Sequence, residues 1–269
     1  MKIIKDKNKL IKIIKNEKNL GFVPTMGAIH KGHLSLVNKS NKLCNTTIVS
    51  IFINRPQFSK KSDYKKYPKL LKNDINLLKK SKVDILYLPK EEQIYPQRPN
   101  KNIKIHPFSK QLCGKFRTGH FESVVDVVDR FLKIIQPKKT FFGEKDMQQL
   151  KLIKNFVNKH YKKINVVGCK TIREINGIAY SSRNLLLSNN QKKIASSIYK
   201  YILNNKPKLI NGKIKIVDIK NKILSLGVRK IDYVELHDIN KIIKPYMQKN
   251  NYKIFISYYL GAVRLIDNI

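Results

Sequence analysis

The amino-acid sequence predicts an α/β protein in which a parallel β-sheet, covered by helices on both faces, is followed by a smaller α+β domain. Apolar, β-branched segments alternate with helical segments over the first two-thirds of the 269 residues. Polar or glycine-containing loops directly follow several of these segments. From about Ile172 the pattern changes to two helices and three closely spaced strands. Strand–helix alternation is typical of parallel sheets, because each crossover between parallel strands needs a connection such as a helix.

The first part of the chain predicts five strands and four helices. The strands are short and apolar, as expected of strands that are buried on both faces, and the segment TTIVSIFI is the clearest of them. The helices carry apolar residues at intervals of three and four. The predicted strands are 21–24, 46–53, 83–88, 140–143 and 164–169, and the predicted helices are 32–42, 67–80, 121–135 and 145–159.

The second part predicts a small antiparallel sheet with two helices. The tetrapeptide Asn204-Asn205-Lys206-Pro207 predicts a connector after the first helix, because proline disfavours a helix interior. The change of pattern predicts two domains, 1–171 and 172–269. The predicted helices are 189–203 and 214–226, and the predicted strands are 230–236, 252–259 and 262–266.

The formal net charge of +38 would suit a nucleic-acid binder. However, only eight of the 56 basic residues are arginines, and the lysines are spread along the whole length. A surface selected for nucleic acid favours arginine and interleaved aromatic residues. We attribute the charge to a composition rich in lysine, isoleucine and asparagine, and we expect no nucleic-acid partner.

The cysteines and the apolar runs argue against several further classes of protein. Cys44, Cys113 and Cys169 form no CxxC pair, so the sequence predicts neither a disulfide framework nor a structural metal site. No apolar run approaches the ~20 residues that a membrane span requires. The N-terminal segment lacks the apolar core of a secretion signal. We therefore expect a cytoplasmic protein with no membrane partner.

The most informative segment is Pro24-Thr25-Met26-Gly27-Ala28-Ile29-His30-Lys31-Gly32-His33, which lies between a predicted strand and a predicted helix. Such a glycine-containing turn presents backbone N–H groups and the positive end of the helix dipole to an anion. His30 and His33 add two side-chain donors on one side of the helix start. The segment predicts a site for nucleotide phosphates, with donors that could stabilise a breaking P–O bond.

A second motif, Asn54-Arg55-Pro56-Gln57, also follows a predicted strand. The amides of Asn54 and Gln57 can both donate and accept hydrogen bonds, which suits a substrate with hydroxyl and carboxylate groups. Ligands of parallel sheets bind beyond the carboxyl ends of the strands. We therefore expect this motif to lie at the same edge of the sheet as the histidines.

A third motif, Gly143-Glu144-Lys145-Asp146, begins where another predicted strand ends. Gly143 permits close approach to the backbone, Lys145 could neutralise a phosphate, and Asp146 could accept hydrogen bonds from ribose hydroxyls. Gln149 lies one helical turn after Lys145, so we expect it to face the same pocket.

A fourth motif, Tyr180-Ser181-Ser182-Arg183, follows the start of the second predicted domain. Its two hydroxyls and its fixed cation could bind a polyphosphate. The basic, glycine-flanked segment 114–121 is expected to border the pocket. The sequence does not decide whether His120, within that segment, has a structural or a functional role.

These four motifs, in this order and over nearly the whole chain, resemble the pantoate–β-alanine ligase family, whose superfamily of nucleotidylyltransferases carries an H-x-G-H signature. The resemblance implies a Rossmann-like N-terminal domain, a smaller C-terminal lid domain and a homodimer. It implies that ATP and pantoate form a pantoyl adenylate and pyrophosphate, after which the amine of β-alanine releases pantothenate and AMP. It also implies Mg²⁺ bridging the phosphates of ATP.

The resemblance further implies a role for each motif. Residues from Pro24 to His33, from Gly143 to Asp146, and Ile172 with Tyr180 to Arg183 would bind ATP. Gln57 would contact both pantoate and β-alanine, Gln149 would bind pantoate, and Asn54 would also bind substrate. Asp74 would be an outer contact of Mg²⁺. We expect His33 to act as a hydrogen-bond donor, because pyrophosphate needs little protonation to leave. The residues implied in catalysis are His30, His33, Lys145, Ser181, Ser182 and Arg183.

Several positions depart from the family's usual pattern, although none of them removes a phosphate or pantoate ligand. The departures are Arg55 within the usual Asn-Pro pair, Cys113 for glutamate, Thr118 and Lys170 for proline, Asp126 for threonine, and Tyr180 for methionine or leucine.

Three alternatives remain open from the sequence. Another small-molecule adenylyl- or cytidylyltransferase would share the H-x-G-H motif but should lack the pair of Gln57 and Gln149. A basic nucleic-acid-binding protein would have a cationic cluster apart from the nucleotide pocket and strongly salt-dependent binding. An inactive protein with the fold intact would show no turnover.

Overall fold

A computed structural model describes residues 1–100, 102–242 and 252–269 of the chain. The described chain divides into two compact units, Met1–Lys170 and Thr171–Ile269. The division falls one residue before the boundary that the change of sequence pattern predicts. The nucleotide-binding and lid roles of the two parts stay predictions.

The first unit contains a six-stranded sheet in which all neighbouring strands are parallel. The five predicted strands are present, with ends that differ by at most two residues, and the α/β class is confirmed. The sequence does not predict the edge strand β1, because three residues are too few to show a period. In the spatial order β1-β4-β3-β2-β5-β6, the strands are β1 Lys2–Ile4, β2 Leu20–Thr25, β3 Thr46–Ile51, β4 Ile85–Tyr87, β5 Lys139–Gly143 and β6 Asn165–Cys169.

Eight α-helices are described in the first unit, and one of the predicted helices is shorter than expected. The predicted helix 67–80 begins at Leu71, because Pro68 holds Tyr67 in an extended conformation with φ −63° and ψ 128°. The helices are α1 Lys7–Ile14, α2 Lys31–Leu43, α3 Lys61–Lys66, α4 Leu71–Lys80, α5 Glu91–Ile94, α6 Cys113–Phe116, α7 His120–Ile135 and α8 Met147–His160. Short 3-10 turns lie at Arg55–Gln57, Pro107–Lys110 and Glu144–Asp146.

The position of β2 in the sheet determines where a ligand can bind. Phe22 and Val23 of β2 are fully buried, and the strand pairs with β3 on one side and β5 on the other. The chain passes from β2 to β3 and later returns to the opposite side for β5. Ligands of open parallel sheets bind at such a reversal, beyond the carboxyl ends of the strands. The loops after β2, β3 and β5 therefore share the edge at which a ligand is expected.

The second unit packs helices on a three-stranded antiparallel sheet of order β7-β8-β9. The predicted connector is wrong, because residues 204–207 continue the first long helix to Ile210. Pro207 lies in the last turn of that helix, and burial of Leu209 in the core of the unit holds the turn in place. The elements are a 3-10 turn Ser182–Leu186, α9 Asn189–Ile210, α10 Ile216–Ser225, β7 Lys230–Asp238, α11 Ile239–Ile242, β8 Tyr252–Leu260 and β9 Val263–Asn268.

The three cysteines are free and buried. Among the helices of the described ranges, none combines the length and the apolarity that crossing a bilayer would need.

Candidate active site

The loop between β2 and α2 is a tight turn with its amides held by a carboxylate. Gly27 and Ala28 have φ values of 79° and 49°, which are uncommon for a residue with a side chain. The backbone N–H groups of Ala28 and Ile29 donate to the two carboxylate oxygens of Asp74, at 2.9 and 2.7 Å. These bonds, together with the Thr25 hydroxyl donating to the Ser50 carbonyl at 2.7 Å, fix the turn before the helix begins.

Asp74 therefore holds the loop, and its outer contact with Mg²⁺ stays a prediction. Its side chain is only 1% exposed, and each oxygen already accepts a backbone N–H. Burial raises the pKa of this carboxyl, and the two hydrogen bonds offset that effect only in part. Within the described residues, no group of three or more His, Cys, Asp or Glu side chains is placed to hold a metal ion.

His30 and His33 lie against each other at the start of α2. His30 caps the helix, and its Nδ1 accepts the backbone N–H of His33 at 3.4 Å. The two rings stack, with centroids 4.0 Å apart and planes 20° from parallel. A neutral imidazole that accepts through Nδ1 carries its proton on Nε2. His30 can therefore donate a hydrogen bond through Nε2.

Both imidazoles are neutral near pH 7. Burial, reinforced by the positive charge of Lys145, lowers the pKa of His30 to about 4. Burial, His30 and Lys145 hold the pKa of His33 well below its usual value of 6.5. The buried Nδ1 of His33 has no hydrogen-bond partner among the described residues, an arrangement that is costly unless a ligand supplies one.

The loop after β5 brings a cation to the histidines. Lys145 lies on the 3-10 turn Glu144–Asp146, close enough to lower the pKa of both rings, and its Nζ is 3.7 Å from Asp146 Oδ1. The backbone at Gly143 is open: a Cβ built there would meet only the Lys145 nitrogen, at 4.0 Å. The structure therefore brings Lys145 of the third motif close to both histidines.

Asn54 and Gln57 follow β3 around the 3-10 turn Arg55–Gln57. Asn54 is 1% exposed; its Oδ1 accepts the Tyr95 hydroxyl at 2.7 Å, and its Nδ2 donates to the Ser123 carbonyl at 3.1 Å and to Gln57 Oε1 at 3.0 Å. Asn54 thus uses its amide within the protein. Its amide also holds Gln57 in place, and a direct contact of Asn54 with the substrate stays a prediction.

Gln57 itself is half-buried, and both its side chain and its backbone carbonyl make contacts within the protein. Its Nε2 lies 3.2 Å from the sulfur of Met26 in the β2–α2 loop. Its backbone carbonyl accepts from Arg117 at 3.2 Å and from His120 Nδ1 at 2.9 Å. The Nε2 of His120 then accepts from Arg117 at 3.0 Å. The segment 114–121 therefore borders the site, as its glycine-flanked basic pattern predicts, and the described contacts of His120 assign it a structural task.

The two adjacent glutamines of α8 have different environments. Gln148 is buried and donates to the carbonyls of Phe108 and Gln111 at 2.8 and 2.7 Å, while its Oε1 accepts from Cys113 at 3.1 Å. Gln149, the predicted ligand, is half-buried. Because the α-helix begins at Met147, Lys145 lies on the preceding 3-10 turn, and the one-turn spacing from Lys145 to Gln149 is not a regular α-helical turn.

The remaining predicted ATP residues belong to the second unit, Thr171–Ile269. Ile172 accepts the backbone N–H of Tyr180 at 3.0 Å beside a bridge between Arg173 and Ala179. Ser181 caps the 3-10 turn Ser182–Leu186, its Oγ accepting from the Arg183 backbone at 3.3 Å.

That segment is anchored within its own unit. Arg173 pairs with Asp267 through two nitrogens, at 2.6 and 3.0 Å, and stacks 4.2 Å over Tyr199. A Cβ at Gly177, where φ is 92°, would come within 2.2 Å of Tyr199. The local sequence pattern does not predict the pairing of Arg173 with Asp267, which lies 94 positions further along the chain.

Comparisons with known proteins give matches over nearly the whole chain. A family model described as Pantoate-beta-alanine ligase matches residues 2–269. A pantothenate synthetase of Sulfurihydrogenibium sp. (strain YO3AOP1) is 38% identical over 97% of this chain and 95% of the relative. One from Pseudothermotoga lettingae is 36% identical over 100% of this chain and 97% of the relative.

Solved structures are similar over the whole chain. The pantoate-beta-alanine ligase of Francisella tularensis, complexed with beta-gamma ATP and beta-alanine, is 36% identical with a TM-score of 0.85, covering 100% of this chain and 97% of that one. The pantothenate synthetase of Thermus thermophilus is 30% identical with a TM-score of 0.87, covering 100% and 99%. The resemblance drawn from the four motifs is confirmed, and the chain belongs to the pantoate–β-alanine ligase family.

Proposed function

We propose that this chain condenses pantoate with β-alanine at the expense of ATP, through a pantoyl adenylate, and that the β2–α2 loop and Lys145 bind the phosphates. The observation that carries the residue assignment is the stacked, neutral pair of His30 and His33 at a helix N-terminus beside Lys145. Backbone N–H groups, neutral imidazole donors and one cation suit a polyphosphate whose charge increases during reaction.

In the first step, a carboxylate oxygen of pantoate attacks the α-phosphorus of ATP, and the bond to the bridging oxygen of pyrophosphate breaks. Negative charge then accumulates on the leaving pyrophosphate. His30, through Nε2–H, and Lys145 would stabilise that charge. Since both imidazoles are neutral, His33 acts in this proposal as a hydrogen-bond donor and not as an imidazolium acid.

In the second step, the amine of β-alanine attacks the acyl carbon of the adenylate. The bond from that carbon to the AMP oxygen breaks, AMP leaves with the electron pair, and the nitrogen releases one proton to the solvent to give the amide. No covalent enzyme intermediate is needed, so the main task of the protein is to align the two reacting groups. We assign Gln57 and Gln149 to binding of pantoate, with Asn54 holding Gln57.

We assign Gly143 and Asp146 to contacts with adenosine, because the backbone at Gly143 is open and Asp146 is accessible beside Lys145. The second-unit residues Ile172, Tyr180, Ser181, Ser182 and Arg183 are proposed to contribute to ATP binding. Their hydroxyls and guanidinium match the chemistry of phosphate groups.

In the described ranges, no group of three or more His, Cys, Asp or Glu side chains is placed to hold a metal ion, and both oxygens of Asp74 accept N–H groups of the loop. We propose that Mg²⁺ arrives bound to the ATP phosphates, as is usual for this ion.

We also propose a homodimer and a cytoplasmic location. The three free cysteines support a reducing compartment, and sedimentation of the purified protein tests the dimer.

The function is tested with pantoate carrying ¹⁸O in its carboxylate, together with ATP, Mg²⁺ and β-alanine. We expect AMP formation to require both pantoate and β-alanine, and one ¹⁸O atom to appear in AMP. His33→Ala should abolish turnover, whereas His160→Ala at the end of α8 should retain it. Absence of ¹⁸O from AMP would refute the adenylate route. Absence of turnover from folded protein would refute the function, and salt-sensitive binding of RNA would then favour the nucleic-acid alternative.

A further inference from the structure

Hydrogen bonds connect the side-chain amide of Gln57, through Asn54, to a backbone carbonyl that can only accept hydrogen bonds. The carbonyl of Ser123, on α7, accepts from the side chain of Asn54 at 3.1 Å. Because a carbonyl oxygen only accepts hydrogen bonds, the Asn54 atom that faces it must be the amide nitrogen. Asn54 is 1% exposed, so water cannot readily replace this partner. The orientation of the Asn54 amide is therefore determined by the backbone of α7.

The orientation of the Asn54 amide in turn determines the orientation of the Gln57 amide. The nitrogen of Asn54 also donates to Gln57 Oε1 at 3.0 Å, so the oxygen of Gln57 faces Asn54. The amide nitrogen of Gln57 points the other way and lies 3.2 Å from the sulfur of Met26. A thioether is a weak acceptor, so a stronger acceptor on a substrate can displace this contact. Gln57 consequently offers N–H donors on its free side.

Tyr95 completes the arrangement by occupying the oxygen of Asn54. Its hydroxyl donates to Asn54 Oδ1 at 2.7 Å. Burial raises the pKa of Tyr95, and the negative charge of Asp126 raises it further, so the hydroxyl keeps the proton that it donates. The guanidinium of Arg130 lies 4.6 Å over the Tyr95 ring.

Asp126, one of the positions that departs from the family's pattern, holds Arg130 in this place. Its Oδ1 accepts from Arg130 Nε at 2.8 Å, and its Oδ2 accepts the backbone N–H of Asn100 at 2.9 Å. Arg130 also donates to the carbonyl of Ile94, at 3.0 Å. The pair thus fixes the chain on either side of Tyr95, and with it the direction of the hydroxyl.

We propose that Tyr95 is a positioning residue for Gln57, and that the chain from Ser123 and Tyr95 through Asn54 makes Gln57 present its amide N–H donors to the hydroxyl and carboxylate oxygens of the acid substrate. The proposal rests on the proposed function in taking Gln57 as a substrate ligand. Without Tyr95, the Asn54 oxygen loses its donor and the amide can tilt, which loosens Gln57 while leaving the nucleotide loop in place.

The test is Tyr95→Phe, which removes the hydroxyl and keeps the ring beneath Arg130. We expect the KM for pantoate to rise about 3- to 10-fold, the range expected for one neutral hydrogen bond, while the KM for ATP changes less than about twofold. The matched control is Tyr161→Phe, because Tyr161 is another partly buried phenol that bonds to α7, through Asp129. It should leave the KM for pantoate unchanged.

A double-mutant cycle separates positioning from general loss of structure. In a Gln57→Ala background, Tyr95→Phe should raise the KM for pantoate no further, because the residue through which it acts is gone. Equal effects of Tyr95→Phe with and without Gln57, or an equal rise in the KM for ATP, would overturn the proposal.

A substrate-free measurement keeps this proposal distinct from the proposed function. In protein labelled with ¹⁵N-glutamine, the side-chain amide signals of Gln57 are assigned by their loss in Gln57→Ala. Tyr95→Phe should shift these signals, and Tyr161→Phe should not. Unmoved signals in Tyr95→Phe would overturn the positioning role. If the unmodified protein fails to adenylate pantoate while the signals do shift, the proposed function fails and the positioning of Gln57 stands.

Discussion

The ring of His30 lies on the ring of His33, with 4.0 Å between centroids, and both imidazoles are neutral at pH 7. Two cations at this distance would repel each other strongly in a partly buried site. The stacked arrangement is therefore compatible with two hydrogen-bond donors, and it leaves Lys145 as the positive charge beside them.

The lowered pKa of His30 predicts a loss of stability in mild acid. The unfolded chain takes up this proton near pH 6.5, whereas the folded protein does so only near pH 4, so the unfolded state binds more protons between these values. Above pH 6.5, protonation of His30 should no longer change the free energy of unfolding. The free energy should fall by about 1.4 kcal/mol per pH unit as the pH drops towards 4.

The measurement is urea denaturation from pH 4 to 8, together with an NMR titration of the His30 ring. His30→Asn should lessen the slope, because asparagine still caps α2 but does not titrate. A ring that titrates near pH 6.5 in the folded protein would contradict the burial of His30.

Lys145→Met should affect both the nucleotide and the histidines. Removal of the nearby positive charge should raise the pKa of His30 and His33, since Lys145 lowers both. The KM for ATP should rise about 10-fold or more, as expected for loss of a charge-assisted hydrogen bond. Lys154→Met, on the exposed face of α8, is the matched control. A KM for ATP that is equal in the two variants would exclude Lys145 from the phosphate site.

Asp74→Asn should disturb the β2–α2 loop. One of the two loop amides loses its acceptor, because the new NH₂ group cannot accept a hydrogen bond. The free energy of unfolding should fall by about 1–3 kcal/mol, and the KM for ATP should rise with it. The control Asp84→Asn also weakens a carboxylate contact to a backbone N–H, that of Thr47 at 2.7 Å. It should leave the KM for ATP unchanged in an assay that varies ATP at saturating pantoate.

Gly143→Ala tests the open backbone after β5. The φ of −77° suits alanine, and a Cβ would meet only the Lys145 nitrogen at 4.0 Å, so the melting temperature should change little. The added methyl group would occupy the space assigned to adenosine, and the KM for ATP should rise. Isothermal titration with ATP measures this directly. Unchanged affinity would move the adenosine contact away from Gly143.

The sequence predicts the strands and the loops after them well, because both depend on local patterns. The strands around Phe22, Ile48 and Phe141 are runs of apolar residues that must be buried on both faces, and the loops that leave them carry the polar residues. The prediction of a connector at 204–207 is wrong for the opposite reason. Proline is a local signal, and the burial of Leu209 that overrides it is a tertiary contact.

The sequence by itself determined the family, the order of the motifs and the chemical groups that they bring. Only the tertiary structure decided which of these groups hold their neighbours in place. Asp74 reaches Ala28 across 46 residues, Tyr95 reaches Asn54 across 41, and His120 reaches the carbonyl of Gln57 across 63. No local periodicity records such contacts, because they exist only once the parallel strands have brought their carboxyl ends together. A buried polar side chain must find its hydrogen-bond partner wherever the fold supplies one.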